Sequence, residues 1–370
     1  MKLKFMAWRH ASSCLAASLT LLLAAQILRA QETKEKVTVD DVDRTFLLRL
    51  PAGYDAQHHY PVVIMLHGMN QDPDDIERLT QFNQLADKDG VIVVYPAALH
   101  GRWNIGVRPQ EHRSSFGPGP GRRRYGGGGY PGGGGGYPGG GGGGYPGGGG
   151  GGYPGGQHPN QQPEEEHHAT ADDIAFFNQM LDQIATKASV DSSRIYAIGL
   201  SDGGFMSMRT GCALSDRIAA VGVVGATMPK TMICVPGRPV PVVMINGTSD
   251  PVVPYNGGTE HSLDISVLSA EDSAKAWAKI NHCSDKPDRT KMAAHEKGAM
   301  ETKIDTYNGC QENAQVVLYS IKGAGNTWPG GEQYEAENAV GKTSADLNAN
   351  ETLWSFLVTR KLQSKTASSQ

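Results

Sequence analysis

This sequence predicts an α/β domain on a mainly parallel sheet, and three observations carry that prediction. Apolar segments of strand length alternate with segments of helical period. Several strand segments are apolar without a break, as in strands buried on both faces. A Gly-x-Ser-x-Gly motif stands between one such segment and the helix after it. Taken in order, residues 37–39 and 45–50 read as a hairpin around Asp40-Asp41, and residues 61–66 as a central strand. Ile76, Leu79, Phe82 and Leu85 follow at helical spacing, and residues 91–95 form the next buried strand. Thr170 to Asp173 has the form of a capping box, opening a helix that carries Ile174, Phe177, Met180, Leu181 and Ile184 on one face. Residues 194–198, 219–224 and 240–245 are strands, with a helix from Gly203 after the first of them. Ser269 with Asp272 caps another helix, Val316–Ile321 is the last strand, and Thr343 with Asp346 caps a terminal helix.

Composition sets the frame around that domain. The 370 residues hold 48 Gly, too many for an ordinary fold. The excess is local: residues 126–156 contain 23, leaving 25 over the other 339 positions. This insert, at about residues 117–168, repeats Tyr-Pro and a glycine run, with tyrosines at 130, 137, 145 and 153. It has too little apolar surface to offset its ordering entropy, so the expectation is disorder. Residues 1–30 read as a signal peptide, from Lys2, Lys4 and Arg9 ahead of an apolar run that ends near Ala30. That leaves residues 31–370 as a single domain interrupted by the insert. Loss of Lys2, Lys4, Arg9 and Arg29 moves the formal net charge from −4 to −8. The acidity argues against a nucleic-acid partner, and the lack of a second long apolar run against membrane insertion after signal cleavage. Once Cys14 is removed four cysteines remain, Cys212, Cys234, Cys283 and Cys310. An even number in an exported chain suggests two disulfides; of three connectivities the sequential one is preferred. None has the spacing of a metal site, so no metal is expected.

The chemistry centres on Gly199-Leu-Ser201-Asp-Gly203. In a nucleophile elbow the serine takes a strained conformation that exposes its hydroxyl, and the residues two before and two after it must be small. An oxyanion hole needs two converging N–H groups. Asp202 supplies one, as the residue after Ser201, and the loop His67-Gly68-Met69 the other, through Met69. His67 precedes the nucleophile and reads as a loop-shaping residue. Asp250 follows the strand at 240–245, where a carboxylate can orient a histidine.

With these residues placed, the sequence resembles the secreted polyhydroxybutyrate depolymerase, feruloyl esterase and acetyl xylan esterase family of α/β-hydrolases. The likeness runs through Leu66-His-Gly68, Val93-Val-Tyr-Pro96, Trp103-Asn104 and Asp172-Asp-Ile174. It continues through the elbow, Gly247-Thr-Ser-Asp-Pro-Val-Val-Pro-Tyr255 and Thr327-Trp-Pro-Gly-Gly331. The resemblance implies an α/β-hydrolase fold with helices on both sheet faces, and cofactor-free esterase activity on a polyester or on acyl groups of plant polysaccharide. It supports the sequential cysteine pairing and places Trp103 and Trp328 beside the substrate cleft. One departure matters. The family loop reads Gly-Gly-His-Thr-Trp-Pro-Gly-Gly, its histidine being the catalytic base, whereas here Asn326 takes that place. An amide has no basic nitrogen at neutral pH. The family's histidine in the acid loop is likewise Asn246. Two readings follow: a serine ester hydrolase impaired by Asn326, or a non-catalytic binding protein that keeps the cleft. Either way, the side chain of residue 326 is expected between Ser201 and Asp250.

Overall fold

The computed structural model describes residues 30–107, 172–292 and 299–363. The expected signal segment and the glycine-rich insert lie outside these residues. All described residues belong to the unit formed by Met1–Gln110 and Glu165–Gln370. Its strands are β1 (Gln31–Val39), β2 (Val42–Leu50), β3 (Tyr60–Leu66), β4 (Ile92–Pro96), β5 (Val190–Leu200) and β6 (Ala220–Val224). They continue with β7 (Val242–Gly247), β8 (Gly258–Glu260), β9 (Ile265–Val267), β10 (Asp288–Lys291), β11 (Thr302–Tyr307) and β12 (Val316–Ile321). The helices are α1 (Pro73–Thr80), α2 (Phe82–Asp89), α3 (Asp173–Lys187), α4 (Asp202–Ala213), α5 (Ala270–Ile280), α6 (Glu337–Val340) and α7 (Ala349–Leu357).

Ten strands make one sheet in the order β1-β2-β4-β3-β5-β6-β7-β12-β11-β10. The six from β4 to β12 are mutually parallel, and an antiparallel pair closes each edge. Successive residues of β3 serve opposite faces, which is why its sequence is apolar throughout. Val62, Ile64 and Leu66 join the core that holds Phe177, Phe205 and Trp277 of α3, α4 and α5. Val63 and Met65 join the one that holds Ile76, Phe82 and Leu353 of α1, α2 and α7. Helices therefore cover both faces, as the resemblance implies.

Several boundaries differ from the sequence reading, each for a local reason. The hairpin arm β1 starts at Gln31, because an edge strand with mostly exposed side chains carries no apolar alternation. Strand β10 escaped for the same reason, being exposed at all four residues, whereas β11 has no exposed residue and escaped because Thr302, Lys303, Asp305 and Thr306 leave it little apolar pattern. The helix expected around Ile76 is two helices, broken where Gln81 takes a left-handed conformation at φ 50°. Asp172, not Thr170, caps α3, by accepting from the Ala175 N–H; Thr170 lies outside the described residues. Asn348, not Thr343 with Asp346, caps α7. The Asp346 carboxylate instead accepts from the Met300 amide. Ser269 caps α5 as expected.

Two links tie the elements together. Arg44 of β2 bonds Asp173, the first residue of α3, at 2.5 Å with both side chains buried. The other Asp173 oxygen accepts from the Asn104 amide at 2.7 Å, so one carboxylate joins sheet, helix and the loop after β4. Disulfides join Cys212 to Cys234 and Cys283 to Cys310. Among the described residues no helix is long and apolar enough to cross a membrane.

Removing one partner of a buried pair strands the other charge, which costs about 3–5 kcal/mol. Arg44→Met should lower unfolding free energy by about that amount in urea titrations, and Arg44→Met/Asp173→Leu should recover part of it. A double variant no more stable than the single one would refute the pairing. Non-reducing peptide mapping should recover the two disulfide-linked peptide pairs and no crossed ones.

Candidate active site

Four loops at the carboxyl ends of parallel strands meet at one sheet edge, after β3, β5, β7 and β12. Ser201 follows β5 with φ 55° and ψ −115°. That is a sparsely populated conformation for a side-chain-bearing residue. Three hydrogen bonds hold it: Ser201 N–H to Val224 O at 2.8 Å, and Gly204 and Phe205 N–H to Ser201 O at 2.9 and 3.1 Å. The turn is possible only with glycine at 203, where a Cβ would lie 2.2 Å from Leu66 O. That approach presses the loop after β3 against the start of α4.

Asp250 and Asn326 form a bonded pair. Asp250 Oδ1 accepts from the Val252 and Val253 amides, each at 2.8 Å. Its Oδ2 accepts from Asn326 Nδ2 at 2.8 Å. The same nitrogen donates to Gly225 O, also at 2.8 Å. Two acceptors on one side fix the amide's orientation, because its oxygen could satisfy neither. Asn326 Oδ1 is buried without a partner among the described residues. A Cβ on Gly225 would sit 2.9 Å from Nδ2, so only glycine there allows this approach. Tyr334 donates its hydroxyl to Asn326 O at 2.9 Å.

Ser201, Asp202 and Asn326 line a cavity of about 230 Å³ together with Gly68, Met69 and Gln71. Within the loop after β3, Gly68 N–H donates to Gln71 Oε1 at 2.9 Å and Asn70 N–H to Gly101 O at 2.8 Å. Asp202 opens α4, so its amide belongs to a first helical turn with no acceptor inside the helix. The cavity is strongly acidic: Asp202, Glu260 and Glu335 line it, and no Lys, Arg or His is among its described lining residues. Burial pushes Asp202 up to about 7 against the Trp103 amide bonded to it and the charge of Arg102. Burial likewise raises Asp250 to about 7 despite its three donors, and Glu260 adds repulsion to both.

The expected residues separate into two groups. The structure brings Ser201, Met69, Asp202 and Asn326 to one cavity, with Asp250 bonded behind Asn326. Trp103 and Trp328 are not among the cavity's lining residues. Trp103 is 3% exposed and donates to His67 O; Trp328 is fully buried and donates to Asn350 Oδ1. Both are anchors beneath the loops, where a large ring fills the core and its N–H finds an acceptor. His67 is buried with Nε2 accepting from the Ala98 amide and Nδ1 facing Gly68 O, which shapes its loop. His261 and His282 are exposed and not among the cavity's lining residues, although Glu260 and Ser262 on either side of His261 are; His295 lies outside the described residues. Sequence reasoning missed Gln71, Glu260 and Tyr334. Gln71 had a signal, standing three residues after Gly68 in the oxyanion-loop turn, whereas Glu260 and Tyr334 had none.

A serine on a strained strand-to-helix turn, with an acid after a later parallel strand, defines the α/β-hydrolase class. Comparison with known proteins agrees. A phospholipase/carboxylesterase family model matches residues 156–296, and an esterase PHB depolymerase model matches residues 44–107. Feruloyl esterase B of Piromyces equi is 35% identical over 163 residues, 42% of this chain and 29% of that protein's length. A putative esterase, NocK, of Nocardia uniformis subsp. tsuyamanensis is 23% identical over 340 residues, 89% of this chain and 83% of its own. An acetyl xylan esterase structure from Aspergillus awamori aligns at TM-score 0.47 and 12% identity, covering 80% of this chain and 94% of that one. These matches support an esterase family of α/β-hydrolases for this chain.

The raised Asp202 makes a pH prediction. Between the ordinary carboxyl value of 3.8 and about 7, the folded state keeps a proton that the unfolded state has released. Stability due to this group therefore falls as pH rises through that window. Asp202→Asn copies the protonated form and keeps the backbone amide. Its melting temperature should match the parent near pH 4 and exceed it at pH 8; a gap constant over this range would place the buried charge elsewhere.

Proposed function

We propose that the chain is an exported serine ester hydrolase acting through an acyl-enzyme on esters of the feruloyl, acetyl or hydroxyalkanoate kind. Ser201 is the nucleophile, Asp250 the acid, and the Met69 and Asp202 amides the oxyanion hole. The observation that carries this reading is Ser201 in its elbow beside Asn326, which is bonded to Asp250. In the first step the Ser201 oxygen attacks the ester carbonyl carbon as its proton passes to water, the carbonyl electron pair moves onto its oxygen, and the two amides donate hydrogen bonds to that oxyanion. The alkoxide or phenoxide leaves, and water releases the acid in a second cycle. A cavity of about 230 Å³ suits a small acyl group. The paired cysteines support export.

The missing element is the proton acceptor. Asn326 Nδ2 reproduces the bond an imidazole N–H would make to Asp250, but Oδ1 cannot take up the Ser201 proton. Losing one member of such a triad costs about 10⁴–10⁶ in kcat. This favours a second reading: a protein that binds its ester-bearing polymer without turnover. The intact Ser201 elbow and Asp250 loop support the first.

Asn326→His should restore the base, because the acid and its loop are already in place. The esterase kcat on p-nitrophenyl butyrate should rise at least about 10²-fold, and the gain should vanish in Asn326→His/Ser201→Ala. A folded single variant no faster than the parent would overturn the triad assignment. Ser201-dependent turnover by the parent would exclude the binding-only reading.

A further inference from the structure

The Gln71 side chain folds back on the oxyanion loop. Its Oε1 accepts the Gly68 N–H at 2.9 Å, and the Gln71 backbone N–H donates to Gly68 O at 3.3 Å. The Gly68 donor fixes which end of the amide is oxygen, since Nε2 in that place would set donor against donor. Nε2, with two protons, has no protein partner among the described residues, and Gln71 lines the Ser201 cavity beside Gly68 and Met69. The loop is held against the elbow, a Cβ on Gly68 lying 3.7 Å from Leu200 O.

The charge around this amide gives it a purpose. Negative charge that develops on an ester oxygen in this cavity forms beside Asp202, Glu260 and Glu335 without a basic side chain on the described lining. Fixed N–H donors are then the means of offsetting it, and each acts with little screening. We propose that Gln71 Nε2 donates to the substrate's carbonyl oxygen as it becomes an oxyanion, adding a side-chain donor to the amides of Met69 and Asp202. Gln71 is on this view a catalytic residue, and the assignment rests on the ester-hydrolase reading of the site.

Gln71→Glu separates the two ends of the side chain. A carboxylate still accepts the Gly68 N–H, but it donates nothing and brings a further negative charge. Two readouts are used: kcat on p-nitrophenyl butyrate in the Asn326→His background, and affinity of the parent for 2,2,2-trifluoroacetophenone followed by ¹⁹F NMR. In that adduct Ser201 O bonds the ketone carbon, the C=O pair moves to oxygen, and the serine proton passes to solvent. Gln71→Glu should lower kcat at least about 10²-fold and weaken the ketone at least about tenfold, with the melting temperature unchanged. Gln71→Met, which loses both ends, should lower kcat and melting temperature together. A Gln71→Glu variant within about twofold of its parent in both readouts overturns the proposal and leaves Gln71 a turn-former. If neither the parent nor Asn326→His shows Ser201-dependent turnover, the ester-hydrolase reading fails by itself. Ketone affinity then decides for Gln71: no adduct on the parent, or equal affinity in Gln71→Glu, overturns its role.

Discussion

The strained backbone at Ser201 is the constraint on which the rest of this edge depends. At φ 55° and ψ −115° it costs on the order of 1–3 kcal/mol, and it persists only because its surroundings over-determine it. Strand β5 is gripped on both sides by β3 and β6, and the Ser201 N–H is bonded to the last residue of β6. Helix α4 packs behind it through Phe205 and Met206, both buried. Gly203 lets α4 come within a Cβ's width of the loop after β3. The same contact that permits the turn therefore brings the Met69 and Asp202 backbones together. The Ser201 turn and the placement of the loop after β3 are one packing solution.

Asp250 poses the complementary problem, a carboxylate largely removed from water. In such a place a charge is tolerated when donors surround it. Two come from its own loop and the third from Asn326, whose nitrogen is also committed to Gly225 O. An asparagine meets this need as well as a histidine would. The Asn326 amide therefore holds Asp250 Oδ2 and Gly225 O with one nitrogen, and the acid loop keeps its shape. An amide offers no second ring nitrogen, the atom that faces the serine in a Ser-His-Asp triad.

The central sheet was legible because buried parallel strands are apolar at every position, as β3, β4 and β6 are. Edge strands were not: β1 and β10 expose nearly all their side chains, and their residues read as polar loop. Caps depended on competition. Ser269 is free to cap its helix, whereas the Asp346 side chain is taken by Met300 from a distant turn. At the site, Ser201 and Asp250 were readable from strand-loop order, and Asn326 only from the resemblance to the family's loop. Trp103 and Trp328 were not, because a loop tryptophan can face the cleft or the core, and only the position of an acceptor for its N–H decides. Glu260 lies on a short strand far along the chain, and no local pattern announces it.

The acidity of the cavity ties these threads together. Asp202, Glu260 and Glu335 would each oppose an anion formed at Ser201. Burial answers in part: Asp202, raised to about 7, is half neutral at that pH. Glu260 is held differently, its oxygens accepting from the Ser262 and Leu263 amides, which spread its charge into the backbone. A histidine at 326 would bring positive charge into the same space during turnover, and Asn326 brings none. On the proposed chemistry no imidazolium stands at 326, and stabilisation of an oxyanion would fall to N–H dipoles of the loop after β3 and the start of α4. Such dipoles are effective because they need no reorganisation when charge appears. Their placement depends on the approach between Gly203 and Leu66 and on the fold of residues 67–71. The oxyanion side of the site is therefore where this chain's own sequence does most to decide what it can stabilise.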